Sequence, residues 1–417
     1  MHAVSAKDLD VVVFGATGVT GRRVAAYLAS RGDGSLKWAA AARDPAKAAR
    51  VLAEDGVTAP ETIAADVGDL ASLAAMASRS KVVLNLVGPY AKYGRPVIEA
   101  CVAGGAHYAD LTGEMSFARR VIEEFDALAV AAGVKIVQPC GFESLPPDLA
   151  VRLAAETARE RYGEGLESVD LEVSFRPPPG RPRPSDGISG GTFQSLVTAL
   201  GDDDPATTLD PAALIVDPGV AASVRRASPI RLVPRRSATG AVLTPMIPVA
   251  YINPAVVHRS ATGAGETPFR YREGVAIPGS PLLLPVRFGV AGLLAGVQAG
   301  MKVGLSAGPG TRARIARGLD RIGPASGFGP RPDRLEGWVY TLAVQARTAG
   351  GHSVGVTAVG HGHPGYLSTA RMLGEAGVML ASGEDVPDRA GALTPSLALG
   401  TTALGQFARA QLTFTVD

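Results

Sequence analysis

The sequence predicts an α/β protein that begins with a Rossmann-type, doubly wound parallel sheet and continues into a second domain. Three observations predict this class. A buried-strand pattern near the N-terminus runs directly into a glycine-rich turn. Strands and helices then alternate through roughly the first 100 residues. The chain, at 417 residues, is too long for one ordinary domain.

The first element is the segment VVVFGATGVTG at residues 11–21. Its first four residues are apolar, as in a central parallel strand that is covered on both faces. Gly15 allows a tight turn, and Gly18 lets the backbone approach a pyrophosphate. Gly21 lets the following helix, predicted at about 22–31, pack closely on the sheet. The glycines follow a strand and open a helix, so they favour a dinucleotide-binding loop over a purely structural turn.

The end of the second predicted strand indicates which dinucleotide is bound. The apolar run LKWAAAA at 36–42 ends on Arg43. An acidic residue there would accept hydrogen bonds from a free ribose 2′-OH, whereas Arg suits a 2′-phosphate. Lys47 offers a second positive charge. Asp44 leaves an alternative open, because a shift of one residue would put its carboxylate at the position that selects between the two dinucleotides. Arg43 could also be a solvent-exposed residue after the strand, with no contact to the cofactor. The pattern favours NADP(H).

The third and fourth predicted strands also end on polar or turn-forming residues. ETIAAD ends on Asp66, where such folds often contact adenine and where the residue also fits a simple strand end. Asp69 is predicted to cap the next helix. KVVLNLVG brings Asn85, Gly88 and Pro89 to the carboxyl end of the sheet, in the crevice where α/β proteins bind ligands.

Composition narrows the class of protein. The chain is 46% hydrophobic and 19% charged, with a net charge of +2, and it has no basic stripe with interleaved aromatics, so we expect no nucleic-acid partner. Cys101 and Cys140 cannot form a disulfide framework, and the N-terminal segment has no apolar signal region, so a cytoplasmic location is expected. His361 and His363 lack a third ligand, so no metal site is expected.

One apolar segment, residues 282–307, is a candidate for a membrane-spanning helix or for a helix at an interface. Arg287 and Lys302 leave only the 14 residues 288–301 uncharged between them, fewer than the ~20 of a spanning helix. Small residues recur at every fourth position, on one helical face: Gly292, Gly296, Gly300 and Gly304. A buried or dimer-forming helix is favoured. A surface that meets lipid or an acyl chain is the alternative.

The second half of the chain has shorter patterns. The Pro-rich segment 176–186 is predicted as an extended loop, and Gly190 lies where a helix should open. Residues 225–258 are predicted as irregular strands. The runs WVYTLAVQA and HSVGVTAVG are predicted to form a hairpin about the glycine turn at 349–351.

Six segments, in this order along the chain, carry a family resemblance: GATGVTGRRVA, NLVGPYAKYG, HYADLTGE, CGFESLPPDL, SGGTFQSL and HPGYLSTARMLGEA. Together they resemble the saccharopine dehydrogenase-like oxidoreductases. Within that family the sequence is most similar to the actinobacterial trans-acting enoyl reductases.

The resemblance implies a Rossmann domain over residues 1–145 and a central α+β domain with a mixed sheet, for substrate or dimerisation, over 146–360. It implies C-terminal helices over 361–417 that return to the Rossmann domain. The expected cofactor-binding residues are Gly15, Thr17, Gly18, Val19, Thr20, Gly21, Arg43, Lys47, Asp66, Asn85, Gly88 and Pro89.

The implied reaction is an enoyl reduction, which needs a hydride at the β carbon, stabilisation of the enolate and a proton at the α carbon. Tyr90 or Tyr108 is expected to donate a proton or polarise the thioester carbonyl, and Glu114 to tune either. Each of the three also fits packing or loop structure. The first expected partner is an acyl chain carried by a polyketide synthase carrier domain, and residues 282–307 would help to bind that chain. A second copy of this chain and a membrane surface, contacted through the same residues 282–307, are the other expected partners.

Two other functions remain as alternatives. A saccharopine-type amino-acid dehydrogenase would reduce an imine, but its substrate carries several carboxylates and should require clustered Arg or Lys in the cleft. The Arg residues of the central domain lie mostly in loops, which disfavours that reaction. The other alternative is a non-catalytic, membrane-associated NADP-binding scaffold or sensor.

Overall fold

The structure, a computed structural model, describes residues 7–31, 34–180, 197, 200, 201, 204–245, 249–323, 330 and 332–417. Strands and helices alternate through its first third. They are β1 (Leu9–Phe14), α1 (Val19–Ser30), β2 (Trp38–Ala42), α2 (Pro45–Glu54), β3 (Glu61–Ala64), α3 (Leu70–Arg79), β4 (Ser80–Asn85), α4 (Tyr90–Gly104), β5 (His107–Asp110), α5 (Met115–Ala132) and β6 (Lys135–Val137).

The remaining strands and α-helices alternate less regularly. They are α6 (Leu145–Tyr162), β7 (Leu166–Arg176), α7 (Pro205–Thr208), α8 (Pro218–Ala227), β8 (Arg235–Arg236), β9 (Val242–Thr244), α9 (Val249–Gly263), β10 (Arg270–Ile277), α10 (Leu284–Leu305), α11 (Pro309–Ile322), β11 (Val339–Thr348), β12 (Ser353–His361), α12 (Thr369–Ser382), β13 (Gly391–Leu393), α13 (Pro395–Leu399) and β14 (Leu412–Val416).

The first sheet, sheet A, has the strand order β13-β6-β5-β4-β1-β2-β3, and all its pairings are parallel. This is the doubly wound order with one strand added beside β6, so the predicted Rossmann-type sheet is confirmed. Val11, Val12 and Val13 in the central strand have no exposed surface, since helices cover both faces. Helix α1 begins at Val19, three residues before the predicted start, because the last two glycines of the loop already belong to its cap and first turn.

The second sheet, sheet B, has the order β14-β12-β11-β7-β10-β9-β8. Strands β7 and β10 pair in parallel and the other neighbours are antiparallel, so the expected mixed sheet is confirmed. Burial alternates along β7, β11 and β12, and α6 covers the buried face. The predicted hairpin is present, with the Thr348 N–H donating to the His352 carbonyl at 2.9 Å.

The C-terminal segment contributes to both sheets. Helix α12 packs on α1, β1 and β4, β13 adds to sheet A beside β6, and β14 adds to sheet B beside β12. The segment after residue 360 therefore holds strands as well as the expected helices. The division at residues 145 and 360 stays a prediction.

Residues 225–258 are not wholly the irregular strands that the sequence predicts. The short strands β8 and β9 are present, but the end of the segment is the start of helix α9. Ile252 and Val256 of that helix are buried in the core on one side of sheet A, and Val257 belongs to the other core, which includes residues of α6 and sheet B. This burial outweighs the local preference of β-branched residues for strands, and the helix continues through Pro254. The helix predicted to open at Gly190 and most of the Pro-rich loop lie outside the described residues.

Candidate functional site

The glycine loop connects β1 to α1 at the carboxyl end of sheet A. Gly15 adopts φ +93°, a conformation that L side chains rarely take, and its N–H donates to the Ala41 carbonyl at 2.9 Å. Gly18 is exposed and takes the N-cap position of α1, where no side chain caps the helix. The first N–H groups of α1 are therefore left for an external acceptor, which fits the phosphates of a dinucleotide.

Gly21 is where α1 comes closest to the turn. A Cβ at this position would lie 2.2 Å from the Gly15 carbonyl oxygen and 2.9 Å from the Ala16 α carbon. Both atoms belong to the backbone, so no side-chain movement would relieve the overlap. The third glycine is thus required by the packing of helix on turn.

Arg43 directly follows β2 and is exposed. Asp44, which left the cofactor open in the sequence, is the N-cap of α2 and accepts from the Lys47 N–H at 2.9 Å. No described residue forms an ion pair with Arg43, so its guanidinium is available to an anionic ligand. Lys47 is also exposed, in the first turn of α2.

The loop after β3 is shaped by two aspartates. Asp66 Oδ1 accepts from the Gly68 N–H at 2.8 Å and bends the chain. Asp69 caps α3, as predicted, by accepting from the Ala71 and Ser72 N–H groups. The Asp66 carboxylate therefore has a structural hydrogen bond within its own loop. That loop lies at the same edge of the sheet as the glycine loop.

The segment after β4 is held by Glu114. Its carboxylate accepts from the first two N–H groups of α4, those of Tyr90 at 3.0 Å and Ala91 at 2.8 Å. Pro89 is the N-cap residue and has no polar side chain to do this. A negative charge at a helix N-terminus is favourable, so Glu114 fixes the start of α4 and the adjoining Gly88–Pro89 turn.

A buried polar network crosses the carboxyl ends of β4, β5 and β6. The Tyr108 hydroxyl donates to Asp110 Oδ2 at 2.7 Å and accepts from Asn85 Nδ2 at 3.0 Å. Asp110 Oδ2 also accepts from Gln138 Nε2 at 2.7 Å, and Oδ1 accepts from the Thr112 N–H at 3.0 Å. Burial raises the pKa of Asp110 to about 7, against the opposing effect of these donors. Burial also raises the pKa of Tyr108 well above its usual value.

Tyr90 is held less tightly than Tyr108. Its hydroxyl donates to the Asn85 carbonyl at 3.3 Å and accepts from the Leu111 N–H at 3.4 Å. Both distances exceed the usual range of an O–H···O or N–H···O bond. Burial raises the pKa of Tyr90 well above its usual value, so the hydroxyl keeps its proton at neutral pH.

Glu143, which was not among the predicted catalytic residues, lies in the loop between β6 and α6. It is partly exposed, and its Oε2 is 2.9 Å from the point where a Cβ on Gly141 would lie. Burial raises the pKa of Glu143, and its charge is close enough to raise the pKa of Tyr90. The available signal was a carboxylate just past the carboxyl end of a parallel strand, at the edge that already holds Asn85 and Asp110.

Comparison with known proteins agrees with this geometry. Residues 11–137 match the saccharopine dehydrogenase NADP binding domain. A Mycobacterium tuberculosis protein whose name assigns it to the trans-acting enoyl reductases is 34% identical, over 95% of both chains. The trans-acting enoyl reductase of Mycobacterium ulcerans is 32% identical, over 96% of both chains. The solved apo structure of saccharopine dehydrogenase (L-Glu forming) from Saccharomyces cerevisiae covers 98% of this chain and 99% of its own, with a TM-score of 0.53 and 14% identity, and shares the fold.

The doubly wound sheet, its uncapped glycine loop and the matched NADP-binding domain define an NADP-dependent oxidoreductase of the saccharopine dehydrogenase-like class. Within that class, the chain belongs to the family of the trans-acting enoyl reductases. The resemblance identified from the six segments is thereby confirmed.

The substitution Gly21→Ala tests the close approach of α1 to its turn. The added Cβ would overlap backbone atoms at 2.2 and 2.9 Å, so we expect a loss of roughly 2 kcal/mol or more of stability, measured as a lower Tm. Gly18→Ala is the matched control, since its Cβ would meet only the Gly15 carbonyl oxygen at 3.4 Å. That variant should keep its Tm but bind NADPH more weakly in a fluorescence titration. A Gly21→Ala protein as stable as wild type would contradict the geometry.

Proposed function

We propose that this oxidoreductase reduces a carbon–carbon double bond conjugated to a thioester in a polyketide or lipid acyl chain, and that it acts in trans on a chain carried by a polyketide synthase carrier domain. Similarity to the trans-acting enoyl reductases over 95% or more of the chain carries the proposal. The NADP-binding domain supports the reaction class. The cytoplasmic location and the homodimer stay predictions.

We assign the cofactor pyrophosphate to the loop Gly15–Gly21 and the 2′-phosphate to Arg43, with Lys47 adding positive charge. The support is the uncapped start of α1, the exposure of Arg43 directly after β2, and the engagement of Asp44 as a helix cap. Asp66, Asn85, Gly88 and Pro89 are further cofactor contacts in this proposal, because they lie at the same edge of the sheet. When bound, NADPH supplies the hydride for the β carbon of the acyl chain.

We assign the three predicted catalytic residues to different tasks. Glu114 is bound to two backbone N–H groups, and the Tyr108 hydroxyl has a close partner on each side and no exposed surface. Both therefore position the site rather than react. The Tyr90 hydroxyl has only long contacts, so it is the group that polarises the thioester carbonyl and stabilises the enolate.

The α carbon of the enolate needs a proton, which we assign to Glu143. Its carboxyl is partly exposed, lies close enough to Tyr90 for their charges to interact, and has a raised pKa that keeps a larger fraction protonated near neutral pH. The reaction balances with one hydride and one proton added across the double bond. Water then reprotonates the Glu143 carboxylate after each cycle.

Turnover with a short enoyl thioester tests the reaction. Purified protein should consume one NADPH per double bond reduced, followed by the loss of NADPH absorbance, and the saturated thioester should give no consumption. Turnover with saccharopine but not with the enoyl thioester would replace the proposal by the amino-acid dehydrogenase. Saturable NADPH binding with no turnover on either substrate would select the non-catalytic scaffold.

The substitution Arg43→Ala tests the 2′-phosphate contact. Loss of one charge-assisted hydrogen-bonding group should weaken NADPH binding by about ten- to a hundredfold and leave NADH binding unchanged, both measured by calorimetric titration. Arg50→Ala, which removes an exposed arginine of the neighbouring helix α2, is the control and should change neither affinity. Equal losses for the two coenzymes would show that Arg43 does not contact the 2′-phosphate.

The substitution Glu143→Gln tests the proton donor. In wild type the protonated carboxyl is the active form, so kcat should fall as the pH rises through the Glu143 pKa, which burial places above the ordinary glutamate value. The variant should lose about 10²- to 10⁴-fold in kcat, keep its KM, and lose that limb of the pH profile. Glu160→Gln, on the exposed end of α6, is the control. A variant that keeps the limb would assign the proton to another group.

A further inference from the structure

Helix α10 is attached to the protein along one face only. Ala291, Ala295, Gln298 and Leu305 are buried, and they follow the spacing of a single helical face. The Ala291 carbonyl accepts from Thr244 Oγ1 at 3.2 Å, and the Gln298 carbonyl accepts from the Tyr251 hydroxyl at 3.3 Å. The Gln298 side chain donates through Nε2 to the Pro245 carbonyl, just after β9. This face is fixed to β9 and α9 by packing and by hydrogen bonds.

The opposite face of α10 is apolar and exposed. We call it the apolar stripe, and its members are Val286 (60% exposed), Val290 (44%), Leu293 (72%), Leu294 (42%) and Val297 (58%). Leu282, just before the helix, is 91% exposed. Scattered apolar residues are normal on a protein surface. A continuous exposed row of this length is instead typical of a surface that binds another protein or a membrane.

Helix α10 lies along the surface of the protein, an arrangement that does not suit a membrane-spanning helix. Among the described residues, α10 is the one helix long and apolar enough to span a bilayer by length and composition. Its buried face, however, carries the polar Gln298 bound to the protein, and only one side is free. A helix with one apolar face free suits the interfacial plane of a membrane.

The next helix supplies positive charge. Helix α11 packs against α10, where a Cβ on Gly304 would lie 3.7 Å from Ile315 Cδ1. Arg314, Arg317 and Arg321 of α11 are exposed, and none of the three forms an ion pair with another described residue. Asp320 is the single acidic residue of the two helices. The apolar stripe is therefore flanked by a basic helix.

We propose that the apolar stripe and α11 form a docking surface for an anionic phospholipid membrane, with α10 lying in the interfacial plane and the three exposed arginines on the headgroups. Apolar burial and attraction to anionic lipid act together at such a surface. A second copy of the chain fits less well, because an isologous contact places the same patch on both sides and the patch has almost no acidic residue to meet the arginines. The proposal is independent of the reductase reaction.

Co-sedimentation of the full-length protein with vesicles tests this surface. Wild type should bind vesicles of phosphatidylglycerol and phosphatidylcholine, bind pure phosphatidylcholine vesicles much less, and be released by added salt. The triple variant Val286→Ser/Leu293→Ser/Val297→Ser should lose binding to both kinds of vesicle. The triple variant Arg314→Gln/Arg317→Gln/Arg321→Gln should lose roughly a hundredfold in affinity for the anionic vesicles and show no preference between the two.

Leu128→Ser is the matched control, since this leucine is a 55% exposed apolar residue on the distant helix α5; its binding to vesicles should equal that of wild type. Unchanged NADPH affinity in every variant shows that the fold is intact. Failure of wild type to bind either vesicle, or binding unchanged in both triple variants, would overturn the proposal. A dimer that the serine variant converts to monomer, with no vesicle binding by wild type, would assign the stripe to a second copy instead.

Discussion

The contact between the first turn of α1 and the turn that follows β1 is the constraint on which the nucleotide site depends. The backbone of Gly21 lies against the Gly15 carbonyl with no room for a side chain, and Gly15 itself is held at positive φ. This close packing brings the uncapped end of α1 over the carboxyl end of the central strand. An anion there meets several N–H groups and the positive end of the helix dipole at once, without any charged side chain from the loop.

The same helix is held from its other side by the C-terminal segment. Helix α12 presents glycines to the sheet side: a Cβ on Gly374 would lie 2.5 Å from a ring carbon of Tyr27, and one on Gly377 would lie 3.0 Å from Leu84. Glu375 lies between these two glycines in the sequence. Its Oε2 accepts from the Tyr27 hydroxyl and lies 3.3 Å from Arg31 Nη1. Since Glu375 is fully buried, the pairing compensates a charge that would otherwise be costly. The last part of the chain thus helps to cover and extend sheet A.

Features decided within a few residues could be predicted from the sequence. The apolar run of β1, the three glycines and the cap of α3 by Asp69 are of this kind, because neighbouring residues determine each of them. The task of Glu114 could not be predicted, since it depends on how the loop before α5 packs on the distant start of α4. Helix α9 was missed for a similar reason, as burial between two cores decides its conformation. The free face of α10 was only the alternative to a buried or dimer-forming helix, because periodicity shows that a helix is apolar but not which side is covered.

The polar groups at the carboxyl edge of sheet A fall into two sets by how they are held. Asp110 accepts three hydrogen bonds and Glu114 accepts two from backbone, so both carboxylates lie in rigid, nearly saturated surroundings. Protonation of the Glu114 carboxylate would weaken the bonds from the two N–H groups that begin α4, and a buried donor left unsatisfied costs about 1–3 kcal/mol. The Tyr90 hydroxyl, by contrast, has only its two long contacts with the Asn85 carbonyl and the Leu111 N–H. In the reaction we propose, this frame would leave Tyr90 and Glu143 as the groups that substrate binding, rather than rearrangement of the protein, aligns for proton transfer.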